Sequence, residues 1–136
     1  MNILKVLTER RKIGNVGERA AASYLRKRGY KILKKNYAPL DHEIDIIAEN
    51  REFTVFVEVK TRTVGTEDAK EPRPASAVTP KKQRGIIAAA KYFLGTHRTD
   101  RKVRLDIVEV YLDERKKVQK ILHLEGAFNL NTANER

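Results

Sequence analysis

The alternation of apolar and polar residues divides the chain into helical and extended segments. From Val16 to Arg28 the apolar residues Val16, Ala20, Ala21, Tyr24 and Leu25 recur at helical spacing, and Gly29 suits a left-handed C-terminal cap. The spacing predicts a helix there. Residues 3–12 are weakly amphipathic and predict a separate short helix with little to anchor it. Tyr30–Tyr37 reads as a strand, followed by a turn around Pro39 and Asp41. Glu43–Ala48 (EIDIIA) and Thr54–Lys60 (TVFVEVK) alternate as strands around the polar turn Glu49-Asn50-Arg51-Glu52, which predicts a hairpin. Residues 61–78 carry two prolines, a glycine and no sustained periodicity, and read as a loop. Thr79-Pro80 pairs a capping hydroxyl with proline at a first helical position, opening a helix that runs to Leu94 and stops at Gly95. Its stripe is Ile86, Ile87, Ala90, Phe93 and Leu94. Val103–Leu112 and Val118–Leu124 form a second strand pair.

The element order is therefore α-β-β-β-α-β-β, which a mixed β-sheet flanked by helices accommodates in an α/β fold. A chain of 136 residues suits one domain, placed at residues 14–125. A basic segment (1–13) precedes it and a polar tail (126–136) follows. No internal repeat or low-complexity tract divides it.

Charge adds to this picture. Lys and Arg number 29 against 18 Asp and Glu, a net charge of +11. Such a field attracts polyanions, nucleic acid above all. Its distribution matters more than its size. Residues 1–36 hold eleven bases and two acids, residues 37–60 two bases and six acids, and residues 61–104 eleven bases and four acids. A surface that only bound phosphates would gain nothing from carboxylates between its basic walls. A metal-dependent phosphodiesterase requires them, because carboxylates hold the cation that neutralises the scissile phosphate. Without cysteine, neither a disulfide framework nor a thiolate zinc site can form, and His42, His97 and His123 lack ligand spacing. The opening apolar run is too short for a secretory signal, and nowhere do 18 apolar residues follow one another, so the expectation is a cytoplasmic protein with no membrane partner.

Strand geometry locates the acids. Residues two apart leave a strand on the same face, so Glu58 and Lys60 project together, with Val55, Val57 and Val59 opposite. Glu43 and Asp45 share a face of the preceding strand, opposite Ile44, Ile46 and Ala48. Pairing of the two strands brings Asp45 to Glu58 with Lys60 alongside. Asp45, Glu58 and the Val59 carbonyl then offer oxygen ligands suited to Mg2+ or Mn2+. The competing reading is an edge strand whose outer face carries a solvated Glu and Lys.

The runs Gly17-Glu18-Arg19-Ala20, Glu43-Ile44-Asp45-Ile46-Ile47-Ala48, Val55-Phe56-Val57-Glu58-Val59-Lys60-Thr61-Arg62, Lys81-Lys82-Gln83-Arg84 and Arg104-Leu105-Asp106 closely resemble the bacterial YraN-like family. That poorly characterised family is assigned to the PD-(D/E)xK nuclease superfamily and is similar to archaeal Holliday junction resolvases. The resemblance spans Gly14 to Val110 and implies a restriction-endonuclease-like fold. It also implies Asp45 and Glu58 as metal-binding acids, Lys60 as the catalytic lysine, Glu18 as an acid joining the site from the first helix, and Gln83 as a residue supporting the site or contacting the phosphate. Two positions depart from the pattern: Ile44 stands where the superfamily's namesake has proline, and His42 where relatives often have glycine. If the likeness extends to assembly, a homodimer is expected, since a four-way junction offers two equivalent strands.

The bases Arg11, Lys12, Arg19, Arg62, Lys81, Lys82 and Arg84 are candidate nucleic-acid contacts, with Arg10, Arg26, Lys27, Arg28, Lys34 and Lys35 adding to the same field. Taken singly, each is a solvated charge. Tyr37 and Phe56 read as packing residues, and Asp106 as an outward acid partnered by Arg104 or another surface base. The functional expectation is an endonuclease acting on DNA rather than RNA. Its rival is a non-catalytic nucleic-acid-binding protein with a lapsed nuclease site.

Overall fold

A computed structural model describes residues 2–65 and 78–129. The chain runs α1 (Ile3–Lys27), β1 (Lys31–Tyr37), β2 (Ile44–Glu49), β3 (Phe53–Thr63), α2 (Pro80–Thr96), β4 (Lys102–Leu112) and β5 (Val118–Phe128). The strands form one sheet in the order β1-β2-β3-β4-β5. β3 and β4 pair in parallel and every other neighbour is antiparallel. This is the expected mixed α/β sheet. The parallel step requires a crossover, and α2 lies in that connection.

One helix covers each face. Ala21, Ala22 and Leu25 of α1 pack with Ile46, Ala48, Val55, Val57, Val59, Val108, Val110 and Leu112. On the other face Ile86, Ala89, Ala90 and Phe93 of α2 pack with Ile44, Ile47, Phe56, Leu105 and Ile107. β3 is central, and its first half is buried on both faces, which is why Val55, Phe56 and Val57 follow one another. That position rules out the edge-strand reading of Glu58 and Lys60. The edges are β1 and β5, and β1 exposes Lys31, Lys34 and Lys35, charges that discourage pairing with another chain. Tyr37 and Phe56 both set their rings edge-on to Phe93, as packing residues do.

Several boundaries differ from the sequence reading. The first helix does not begin at Val16: α1 is one helix of 25 residues that passes through Gly14, so the separate short helix over 3–12 is corrected. Glycine lowers helix propensity without forbidding a helix. β5 continues to Phe128, which is buried, so the folded unit extends beyond residue 125. α2 continues through Gly95 to Thr96. The hairpin is as expected: Asn50 closes its turn by accepting from the amides of Glu52 and Phe53 through Oδ1. Gly29, at φ 92°, follows α1 in the left-handed conformation expected of it. Most of the loop read at 61–78, and the last seven residues of the polar tail, lie outside the described residues.

Asp106 does not face outward. It is fully buried, and its carboxylate accepts from Arg104 Nε and Nη2, both at 2.9 Å, from His123 Nε2 at 2.6 Å and from the Gly126 amide at 3.0 Å. Gly126, in a left-handed conformation at φ 62°, lies in the stretch where the β4–β5 register shifts. Burial alone would raise the Asp106 carboxyl, but the bonds from His123, Arg104 and Gly126 outweigh it and hold the group below the usual carboxylate range. A depressed carboxyl stabilises the fold above its unfolded pKa of about 4, and this is lost as pH falls through the folded value. Asp106→Asn is expected to lower the unfolding free energy by about 3 kcal/mol at pH 7, because it removes the buried counter-charge of Arg104 and leaves only the exposed Glu125 at 3.4 Å. Urea denaturation checks this. An unchanged midpoint at pH 7, or a difference that fails to shrink below about pH 4, contradicts it.

Candidate metal centre

The centre forms where two strands part. β2 and β3 are paired from Glu49↔Thr54 to Ile46↔Val57, and the recorded pairing goes no further. Asp45 is the next residue of β2. Its Oδ2 accepts the Val59 amide proton at 2.7 Å, so a carboxylate takes the backbone donor next to Glu58. The divergence also changes how β2 faces the core. Ile44 packs with Ile47 on the α2 side, whereas Ile46 and Ala48 pack on the α1 side, so the expected common face of Ile44, Ile46 and Ala48 is corrected.

Glu58 projects toward α2 from the middle of the sheet and is 3% exposed; Asp45 is 9% exposed. Two ammonium groups meet Glu58 Oε2, Lys82 Nζ at 2.5 Å and Lys60 Nζ at 3.7 Å. Burial, and then the charge of Glu58, push the Asp45 carboxyl up to about 8, against the lowering effect of the Val59 amide. Near neutral pH one proton therefore stays on the acid pair. Burial, followed by the charge of Lys82, lowers the Lys60 ammonium. Lys82 also loses hydration, but its bond to Glu58 prevails and raises it.

Glu18 approaches from α1. Burial, with the charges of Glu43 and Glu58 behind it, raises its carboxyl, while Lys35 opposes the shift. It influences the pair electrostatically, but among the described residues no three Asp, Glu, His or Cys side chains converge into a metal-binding group. Glycines bring both helices close. A Cβ on Gly17 would overlap the Thr61 side chain, and one on Gly85 would overlap the His42 ring. On the α2 side, Asp41, His42 and Glu43 border a 230 Å3 cavity that reaches Asp45, Glu58 and Lys82.

The remaining sequence candidates are dispersed. Gln83 donates through Nε2 to the Val78 carbonyl at 2.9 Å, a local bond at the start of α2 that does not touch the acid pair. Arg62 donates through Nε to the fully buried Glu109 at 3.0 Å, and Tyr111 donates to the other oxygen of that carboxylate. Lys12 pairs with Glu9 at 3.7 Å. Arg11 and Arg19 on α1, and Lys81 and Arg84 on α2, are exposed. Lys82 was expected among the outer contacts, yet its ammonium lies on Glu58. Its place could have been read from helical spacing, since it precedes the buried Ile86 by four residues. Glu109 gave no such signal, because nothing in the sequence brings Arg62 and Tyr111 to it.

A mixed α/β sheet with a buried acid pair on the hairpin next to its crossover defines the structural class. The chain belongs to the uncharacterised protein family UPF0102, whose model matches residues 17–110. It is 42% identical to a UPF0102 protein of Caldanaerobacter subterraneus subsp. tengcongensis over 118 residues, covering 85% of this chain and 93% of the relative. It is 43% identical to a UPF0102 protein of Alkaliphilus oremlandii over 121 residues, covering 87% and 98%. A UPF0102 protein of Clostridioides difficile is 39% identical over 116 residues, covering 85% and 95%.

A carboxyl raised by folding destabilises the fold. Between about pH 4 and pH 8 the unfolded chain releases a proton that the folded chain keeps, so stability falls as pH rises through that window. Asp45→Asn keeps an acceptor for the Val59 amide and removes the charge. In chelator at pH 8 it is expected to be more stable than the parent by on the order of 1–3 kcal/mol, with the two converging near pH 4. Denaturant melts across that range measure it, and an asparagine variant less stable at pH 8 would show that the acids are not crowded.

Proposed function

We propose that this protein is a metal-dependent phosphodiesterase that cuts DNA, with branched or damaged structures as its substrates, in the bacterial cytoplasm. The observation that carries the reading is the pair of buried carboxylates with two lysines beside it, in a chain of net charge +11. Buried acids whose desolvation no set of donors offsets destabilise a fold, and such groups gather where chemistry needs them. Here the sheet places both at one backbone divergence, with their open side on a cavity.

The donor set fits a hard cation. Magnesium is commonly held by one or two carboxylates together with substrate phosphate oxygens and water, so the pair suffices without a third acid. Asp45, Glu58 and the Val59 carbonyl are the groups that would hold it, and the bound ion supplies charge neutralisation at the phosphate and a more acidic water. Lys82 holds Glu58 in place and balances its charge until a cation does so. Lys60, half-buried beside Glu58, is placed to orient the attacking water and to donate to the charge developing on the phosphate. Exposed bases on both helices supply a binding field that follows salt and ignores sequence. No helix among the described residues is long and apolar enough to cross a membrane.

A non-catalytic nucleic-acid-binding protein would share that field without requiring the acids. Calorimetric titration with manganese is expected to show binding at millimolar affinity or tighter, abolished by Glu58→Ala. With magnesium, cleavage of labelled branched DNA is expected to fall at least about a hundredfold in Asp45→Ala. Undiminished cleavage by that variant ends the proposal. Retained DNA binding with no cation uptake in the parent favours the non-catalytic rival.

A further inference from the structure

Helix α2 connects the acid pair to an exposed ring. Lys82, in its first turn, lies on Glu58, and His42, which borders the 230 Å3 cavity together with Asp45 and Glu58, packs its ring on Gly85. Residues three, four and seven apart share a side of a helix, so Lys81, Gly85, Ala88 and Tyr92 form one row on α2. The row passes the cavity at Gly85 and ends at Tyr92, which is 49% exposed. Among the described residues no other phenylalanine or tyrosine is exposed. Tyr37 places the row on the sheet independently. It pairs with Ile44, the residue before Asp45, and its hydroxyl interacts with Tyr92 and Thr96.

The chemistry along this row suits a DNA strand whose bases are unpaired. α2 carries Lys81, Lys82, Arg84 and Lys91 and no acid. Lys34 and Lys35 are exposed on β1, the strand that bears Tyr37. These charges complement a phosphate backbone whatever its sequence. Asp41 and Glu43, which border the cavity, repel further phosphates there, so the cations of α2 draw the backbone along the helix instead. The imidazole of His42 and the phenol of Tyr92 are rings on which unpaired bases stack, and every base has a face to offer. A base inside a duplex is covered by its neighbours and must leave the stack before it can do so. From Gly85 to Tyr92 the helix rises by about 10 Å, the span of roughly three stacked nucleotides.

We infer that this side of α2, from Lys81 to Tyr92 and with His42 beside it, is a docking track for single-stranded DNA leaving the acid pair, with one base stacked on Tyr92. The substrate is then DNA whose strand is unpaired for about three nucleotides beyond the cut, as in a flap or an open end, and not an intact duplex. The inference rests on the phosphodiesterase reading above.

Fluorescence anisotropy tests it, with calcium replacing magnesium, on a labelled single strand and on a blunt duplex of the same sequence. Tyr92→Ala is expected to bind the single strand roughly tenfold more weakly than the parent and the duplex equally well, whereas Tyr92→Phe, which keeps the ring, binds both as the parent does. Tyr92→Trp adds an indole to a chain without tryptophan, and its fluorescence should be quenched by the single strand and not by the duplex. Should Tyr92→Ala not fold, this third variant decides. Unchanged single-strand affinity in Tyr92→Ala, an equal loss on both DNAs, a Tyr92→Phe variant as weak as Tyr92→Ala, or an indole that the single strand leaves unquenched overturns this inference alone. Binding of neither DNA by the parent overturns the phosphodiesterase reading and this inference with it.

Discussion

Everything distinctive in this structure follows from two carboxylates buried side by side at the point where β2 leaves β3. Asp45 replaces a ladder partner at the Val59 amide, and Glu58 projects from the central strand of the sheet. Neither arrangement favours folding by itself, since burial and like charge both penalise ionised acids. The surroundings limit the penalty. A proton remains on the pair and Lys82 neutralises Glu58. Among the described residues no buried side-chain nitrogen or oxygen lacks a partner.

Asp106 shows what a stabilising acid looks like in the same sheet. It is equally buried, but four donor atoms from three residues converge on it and lower its carboxyl. Asp45 has one backbone donor and two acidic neighbours, and its carboxyl rises. The two acids are thus tuned in opposite directions on one scaffold. Asp106 ties β4 to β5, while Asp45 keeps a single backbone donor, the Val59 amide. Glycines set how closely the helices approach: Gly17 lies against Thr61 and Gly85 against His42.

Much of this was legible in the sequence because strand alternation is a rigid rule. Val55, Val57 and Val59 had to share a face, which sent Glu58 and Lys60 to the other, and the turn at Asn50 placed Asp45 opposite Glu58. The rule failed at Ile44, where β2 departs from the ladder and the side-chain directions change. Composition could not show Lys82 on Glu58, because a lysine next to other lysines reads as surface. Asp106 was misread for a related reason: outward alternation and a neighbouring arginine looked like an exposed ion pair, while the partners that bury it, His123 and Gly126, come from a strand twenty residues on. The continuity of α1 was hidden by Gly14, whose low helix propensity the packing of the following turns overrides.

The most direct test follows the Asp45 carboxyl itself, by carbon NMR of metal-free protein across a pH titration. The account predicts a midpoint of about 8, moving down by more than one unit on addition of magnesium. A midpoint in the ordinary carboxylate range near about 4, unmoved by the cation, would contradict it.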